Sequence, residues 1–439
     1  MDIAVSGRVV RSFISSCIVL SSTWAAAAQA QSFPFTDSEK VLQTTEGVGV
    51  RANQHLGSAV AVAGDRALSV GGPGNVYVFG KNAQGAWSQI AKLVAPDGGA
   101  LTGPIKFDGT NALIRGYTPA QTSVVYTYQY DGTRWRALGI MKGATSFGRA
   151  IAMEGCTALV SSSIEEMGTF NPPSQPSFVH FFDRCRTGQW TYVNTFPAPG
   201  GNAVGTSFGY SVALSGTNAL VGAPTAGGGG RVYHYVRTGD SWALKETFQE
   251  DANPRHGSFG RAVAISSDLA IVSSHLWRED GLGEGQIIRF AVNGNKLTQL
   301  GPQAIYWPVD VWGYEGLGET VVITPSYVFA SAPARIGFIP WQDSYTNGAW
   351  TPVSWVMAFP RQGANELMRP VTIATYDHER APPQGTDGVI PYYFNVRFGS
   401  DIAASGSTLV VGAELFHVPT KPKLEEGRVY AYDIPPWTP

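Results

Sequence analysis

The chain repeats itself. SFGRAIAMEGCTALVSSS from Ser146, SFGYSVALSGTNALVGAP from Ser207 and SFGRAVAISSDLAIVSSH from Ser258 are copies of one pattern, as are HLGSAVAVAGDRALSVGG from His55 and RFGSDIAASGSTLVVGAE from Arg397. Two weaker copies, LTGPIKFDGTNALIRGY from Leu101 and GLGETVVITPSYVFASAP from Gly316, bring the number to seven. Self-similarity at this spacing restricts a chain to solenoids, propellers and similar arrays. Within each copy apolar residues alternate with period two, which reads as strands and not helices.

The copies continue alike. A third alternating segment follows in six of them, at Val76, Val124, Phe178, Val232, Ile287 and Val429, then a short Gly-containing turn. In most copies a Trp comes next: Trp87, Trp135, Trp190, Trp242 and Trp350, with Leu297 in one slot. One repeat is therefore four short strands, and seven such units predict an all-β, seven-bladed β-propeller. Aligned on the second residue of the Phe-Gly pair, the blades start near Gly57, Thr102, Gly148, Gly209, Gly260, Gly318 and Gly399. The last copy has no fourth strand of its own, whereas SEKVLQTTE from Ser38 resembles one. The N-terminal strand is therefore expected to complete the last blade and to remove an open sheet edge.

Composition agrees. The chain holds 52 Gly and 28 Pro in 439 residues, a share well above the usual sum of about 12%, which excludes a helical bundle. The formal net charge of −2 offers no bulk basic surface for nucleic acid. Residues 1–30 read as a signal peptide: Arg8 and Arg11 precede a mostly apolar segment, and Ala28-Gln29-Ala30 is a small-x-small cleavage site. Cleavage after Ala30 is favoured over lipidation at Cys17, since only a few residues separate Arg11 from that cysteine. Residues 31–439 then form a single propeller domain, exported to the periplasm or beyond, with no membrane span and expected to be a monomer. Its remaining cysteines, Cys156 and Cys185, fall in neighbouring short turns of the third blade and are expected to form a disulfide.

SFGYSVALSG…ALVGAP…GGRVYHY resembles the FG-GAP repeat of integrin alpha chains and of many exported bacterial proteins, with Phe208-Gly209 and Gly222-Ala223-Pro224 as its two signatures. The resemblance implies the propeller fold over nearly the whole chain from about residue 33 to 434, and a binding or adhesion role. Integrin-type repeats also carry calcium loops. Here the nearest segments, Asp131-Gly132 and Glu279-Asp280-Gly281, lack the alternating carboxylates that calcium requires, so no cofactor is expected. No zinc site is expected either, because no HxH or HxxxH spacing occurs.

Propeller loops fall on two faces, and the longer insertions share one of them. The longest is expected from about Gln362 to Val396. Function is expected on that face. His55, His256, His275, His378 and His417 map to it, as do the aromatics Trp307 and Trp312, which could stack on sugar rings. The residue after each Phe-Gly pair lies at the mouth of the central channel, where Arg149, Tyr210 and Arg261 suggest an anion site. Two functions follow. A binding module for an anionic glycan or a protein is favoured, since no nucleophile elbow, HExxH or phosphate loop is present. The alternative is a polysaccharide lyase acting on uronate glycans, with the arginines neutralising the carboxylate and His256, His275 or Tyr210 moving the proton.

Overall fold

The computed structural model describes Phe35 and residues 38–45, 55–163, 176–200, 205–250, 257–274, 285–302, 312–313, 316–333, 337–341, 344–351, 354–363, 365–368, 370–374, 397–414 and 427–437. The expected signal peptide lies outside them, and no helix among them is long and apolar enough to cross a membrane.

Seven antiparallel blades form the ring. Blades one to five each run in simple order; in blade four, for example, Ser211–Ser215, Asn218–Ala223, Arg231–Thr238 and Ser241–Gln249 pair in sequence. The last blade is closed by the N-terminus as expected: Lys40–Leu42 pairs with Arg428–Asp433, Val41 opposite Tyr430. Blade six departs from the expectation. Its third strand is Trp355–Gln362 and its outer strand Val371–Ala374, both within or beside the segment read as an insertion. Trp350 does not open the fourth strand; it belongs to a separate three-stranded sheet of Trp312–Gly313, Gly337–Trp341 and Ser344–Thr351. The sequence pattern misleads here because Trp355–Gln362 contains Pro360, which the missing N–H usually keeps out of interior strands. Pro360 falls between two outer partners: Val371–Ala374 ends opposite Ala358, Glu366–Leu367 pairs Arg361 and Gln362, and the Pro360 carbonyl accepts the Met368 N–H.

The core lies between blades. Among the described residues, seven hydrophobic clusters occur, one at each seam between neighbouring blades. This follows from alternation: both faces of a radial blade meet a neighbour, so the second strands bury both rows of side chains, as Asn218–Ala223 does, while outer strands such as Thr191–Pro197 stay largely exposed. The blades are also latched at the Phe-Gly corner. Phe259 bridges to Gly230 of the preceding blade, Leu317 to Gly285, and, across the closing seam, Leu56 to Gly427. The corner needs glycine. Gly260 has φ +89°, and a Cβ there would sit 2.7 Å from the Arg231 carbonyl oxygen. On the short-turn face, cations reach back one blade: Arg237 to Asp183 (3.2 Å), Arg361 to Asp268 (2.6 Å) and Lys81 to Asp433 (2.5 Å).

Candidate functional site

Ser58, Gly103, Arg149, Tyr210, Arg261, Glu319 and Ser400 follow the Phe-Gly position in the seven blades, and all line one cavity of about 330 Å³. Because the first strand of every blade contributes to its wall, this cavity occupies the propeller axis. Six of the seven corners deliver the side chain in the same way: the residue before the Phe-Gly pair is left-handed (Ser146, Ser207, Ser258 and others) and the glycine has positive φ. In blade two Thr102 stands in the glycine's place, and Gly103 takes the positive φ.

Three of the expected ligands come together. The guanidinium carbon of Arg149 lies 4.3 Å from the centre of the Tyr210 ring, and that of Arg261 lies 4.5 Å from it. The three residues belong to consecutive blades, so the phenol stands between two cations. Each such contact is worth about 0.5–2 kcal/mol, the more so where water is excluded. Tyr210 is 7% exposed and Arg261 6%. Arg261 is also held by Glu319 of the next blade, with Nη2 at 2.7 and 2.9 Å from the two carboxylate oxygens and Nε at 3.1 Å. This forked pair balances the Arg261 charge. Arg149 is half-buried at the cavity wall.

The cavity contains further charges that the Phe-Gly alignment did not reveal. Lys106, Arg115 and Asp401 line it too. Lys106 lies in Ala100–Phe107 and Arg115 in Asn111–Tyr117, the first two strands of the degenerate second blade. Asp401 accepts the Val60 N–H across the closing seam (2.9 Å) and the N–H of Ile402. Burial raises its carboxyl to about 6, although these hydrogen bonds and the charge of Lys106 oppose the rise. Among the described residues, four cations and two carboxylates line the cavity, an excess of two positive charges in a chain whose net charge is −2. Glu319 was legible: it occupies the same position as Arg149 in its own copy.

The remaining expected residues lie apart or out of view. His55 sits half-buried at the corner of blade one, with φ 43°. His256, His275, His378, His417 and Trp307 lie outside the described residues; Trp312 lies in a two-residue strand, its side chain undescribed. His180 and His234 are buried in third strands. His180 bonds Ser162 (2.9 Å) and Thr195 (2.7 Å), and burial lowers its imidazole to about 4. His234 lies between Asn218 (2.8 Å) and Glu246 (3.1 Å), and burial again lowers its pKa. Asp131 serves its own turn, accepting hydrogen bonds from the N–H groups of Thr133 and Arg134. The disulfide between Cys156 and Cys185 is present, with Cα atoms 5.1 Å apart.

Comparison with known proteins agrees with this architecture. The FG-GAP repeat family matches residues 190–235, from the outer strand of blade three through the third strand of blade four. No curated protein matches the sequence. Among solved structures, a chain of the mitotic checkpoint complex is similar over 90% of this chain and 94% of its own, at 14% identity and a TM-score of 0.51, a likeness of fold alone. A functionally unknown protein from Desulfotomaculum acetoxidans aligns over 72% of this chain and 79% of its own, at 12% identity and a TM-score of 0.44. Raptor from Chaetomium thermophilum aligns over 92% of this chain and 30% of its own, at 11% identity and a TM-score of 0.47. Strand order, the seven corners and the matched repeat together make this chain a seven-bladed FG-GAP β-propeller.

Proposed function

We propose that this propeller is an exported binding module that holds an anionic glycan at its axial cavity. The observation that carries the proposal is the excess of two positive charges among the described residues lining that cavity. A low-dielectric concave site of one sign concentrates ligands of the other sign. The lyase alternative draws on the same residues, since elimination from a uronate needs a cation at the carboxylate and a proton acceptor. The near-complete burial of Tyr210 and the engagement of Arg261 by Glu319 speak for binding over turnover.

The test is a panel of neutral, uronate and sulfated glycans against wild type and Arg149→Ala. Anionic glycans are expected to bind, more weakly as salt rises, and Arg149→Ala to lose about tenfold or more, the scale of one charge-assisted contact. Equal binding of neutral and anionic glycans refutes the reading. Ultraviolet-absorbing unsaturated products from any uronate glycan would transfer the assignment to the lyase.

A further inference from the structure

We infer that Cys156, Cys185 and Asp183 bind a divalent cation that favours sulfur, zinc or one of similar chemistry, once the Cys156–Cys185 disulfide is reduced. The site lies at the short turns of blade three. None of its three residues lines the axial cavity, so it is independent of the anion-binding function proposed above. One Sγ from each cysteine and a carboxylate oxygen of Asp183 fall within 4.8 Å of one another. Two sulfurs on one tetrahedral zinc, at bonds of about 2.3 Å, stand about 3.8 Å apart. Cα atoms 5.1 Å apart reach that separation by side-chain rotation alone.

The turns have their own ties besides the disulfide. Thr157, next to Cys156, pairs directly with Asp183 in the ladder of the second and third strands. The Arg184 N–H donates to the Cys156 carbonyl (2.9 Å), and the Arg184 guanidinium donates to the Gly155 carbonyl (3.1 Å). Reduction therefore leaves two thiols that the backbone still holds side by side. Asp183 is oriented as well: Oδ1 accepts the Cys185 N–H (2.7 Å), and Oδ2 pairs with Arg237 of blade four (3.2 Å). An ionised carboxylate has about four lone-pair sites, so these bonds leave it able to ligate, and such outer partners fix a ligand's direction. Cys185 is exposed and Cys156 half-buried, which opens the bond to an external dithiol. The dithiol gives up two electrons and two protons, becomes a disulfide itself, and leaves two protein thiols. Metal binding then releases those two protons to solvent. Two thiolates and a carboxylate carry three negative charges, which a divalent ion reduces to one, and Arg237 stands beside it. Calcium and magnesium need sets of oxygens, whereas sulfur selects zinc and softer ions. Three protein ligands leave the fourth zinc position to water.

The test uses the full chain, reduced with dithiothreitol, desalted under nitrogen and titrated with cobalt(II) as a coloured probe for the zinc site. The reduced chain is expected to take up a single cobalt ion. A thiolate-to-cobalt band in the near ultraviolet and the visible bands of a tetrahedral ion should appear, and zinc should bleach both. The oxidised chain should show neither. Cys156→Ser and Cys185→Ser should each weaken cobalt binding and diminish the thiolate band. Asp183→Asn should weaken cobalt binding by about tenfold or more while still closing its disulfide on reoxidation, which shows that its two turns remain in register. Zinc should also raise the melting temperature of the reduced chain and leave that of the oxidised chain unchanged. A reduced chain without a thiolate-to-cobalt band overturns the site. Asp183→Asn binding cobalt as tightly as wild type overturns the three-ligand set, and equal binding by the oxidised chain overturns the dependence on reduction.

Discussion

Removing residues 31–46 takes away the strand that closes the ring. That strand inserts Leu42 into the seam between blades seven and one. Just before it, Phe35 packs edge-on against Tyr327 (5.7 Å) and Phe329 (6.2 Å) of blade six. Phe35 and Leu42 are each 1% exposed. Burying two such side chains contributes about 3–6 kcal/mol. Two hydrogen bonds, from the Tyr432 hydroxyl to Glu39 (2.9 Å) and from the Asp433 N–H to the Ser38 hydroxyl (3.0 Å), are also lost. At about 1 kcal/mol each they raise the total to about 5–8 kcal/mol. Whole-protein stabilities are about 5–15 kcal/mol, so the deletion should bring the ring close to unfolding. With an unfolding entropy of about 2.1 cal/mol/K per residue over roughly 400 residues, the loss corresponds to about 6–10 °C in melting temperature. Phe35→Ala alone should cost about 3–5 kcal/mol, or about 4–6 °C. Differential scanning calorimetry of the three proteins decides the matter. A deletion variant that melts within about 2 °C of wild type would show that the closing strand does not hold the ring, and the closure argument would fail.

Two other outcomes are expected. Cys156→Ser with Cys185→Ser opens a disulfide spanning 29 residues, which should cost about 3–4 kcal/mol; a reductant should lower the melting point of wild type but not of the double variant. The folded His180 imidazole titrates near 4 against its usual 6.5. Its contribution is fully present above pH 6.5, where both states are neutral, and is lost as pH falls toward 4, because only the unfolded chain takes up the proton. The loss should amount to about 3 kcal/mol across that window. Urea midpoints of wild type and His180→Gln between pH 7 and 4 measure it, and parallel curves would contradict it.

Much of the fold could be read from the sequence because the constraint recurs. Seven corners, each followed by alternating strands, left few architectures open, and the stretch from Ser38 matched the missing outer strand closely enough to place Lys40–Leu42. Blade six resisted because its third strand, Trp355–Gln362, buries apolar residues without the alternating aromatic signature and carries Pro360. Trp350 drew attention because its type matched the slot, although its ladder partner is Phe338 of the side sheet. The candidate site was legible where it follows the corner, as at Arg149, Tyr210 and Arg261. Arg115 and Lys106 were not, because they lie deeper in the first two strands of the degenerate second copy, at positions where the other copies carry no charge. Pairwise facts such as the grip of Glu319 on Arg261 depend on which blades are neighbours, and no single copy contains that information.

The latch at each corner has a consequence for where the chain could be cut. Gly427 meets Leu56 across the closing seam as Gly230 meets Phe259 and Gly285 meets Leu317 within the continuous chain. Lys81 reaches back to Asp433 there much as Arg237 reaches back to Asp183 elsewhere. The seam between blades seven and one is therefore built like the other seams. The break in the chain lies inside blade seven, between Arg428–Asp433 and Lys40–Leu42. A circular permutant that joins the present ends through a flexible linker and opens the loop between blades four and five should rebuild the same ring, with no blade shared between its two ends.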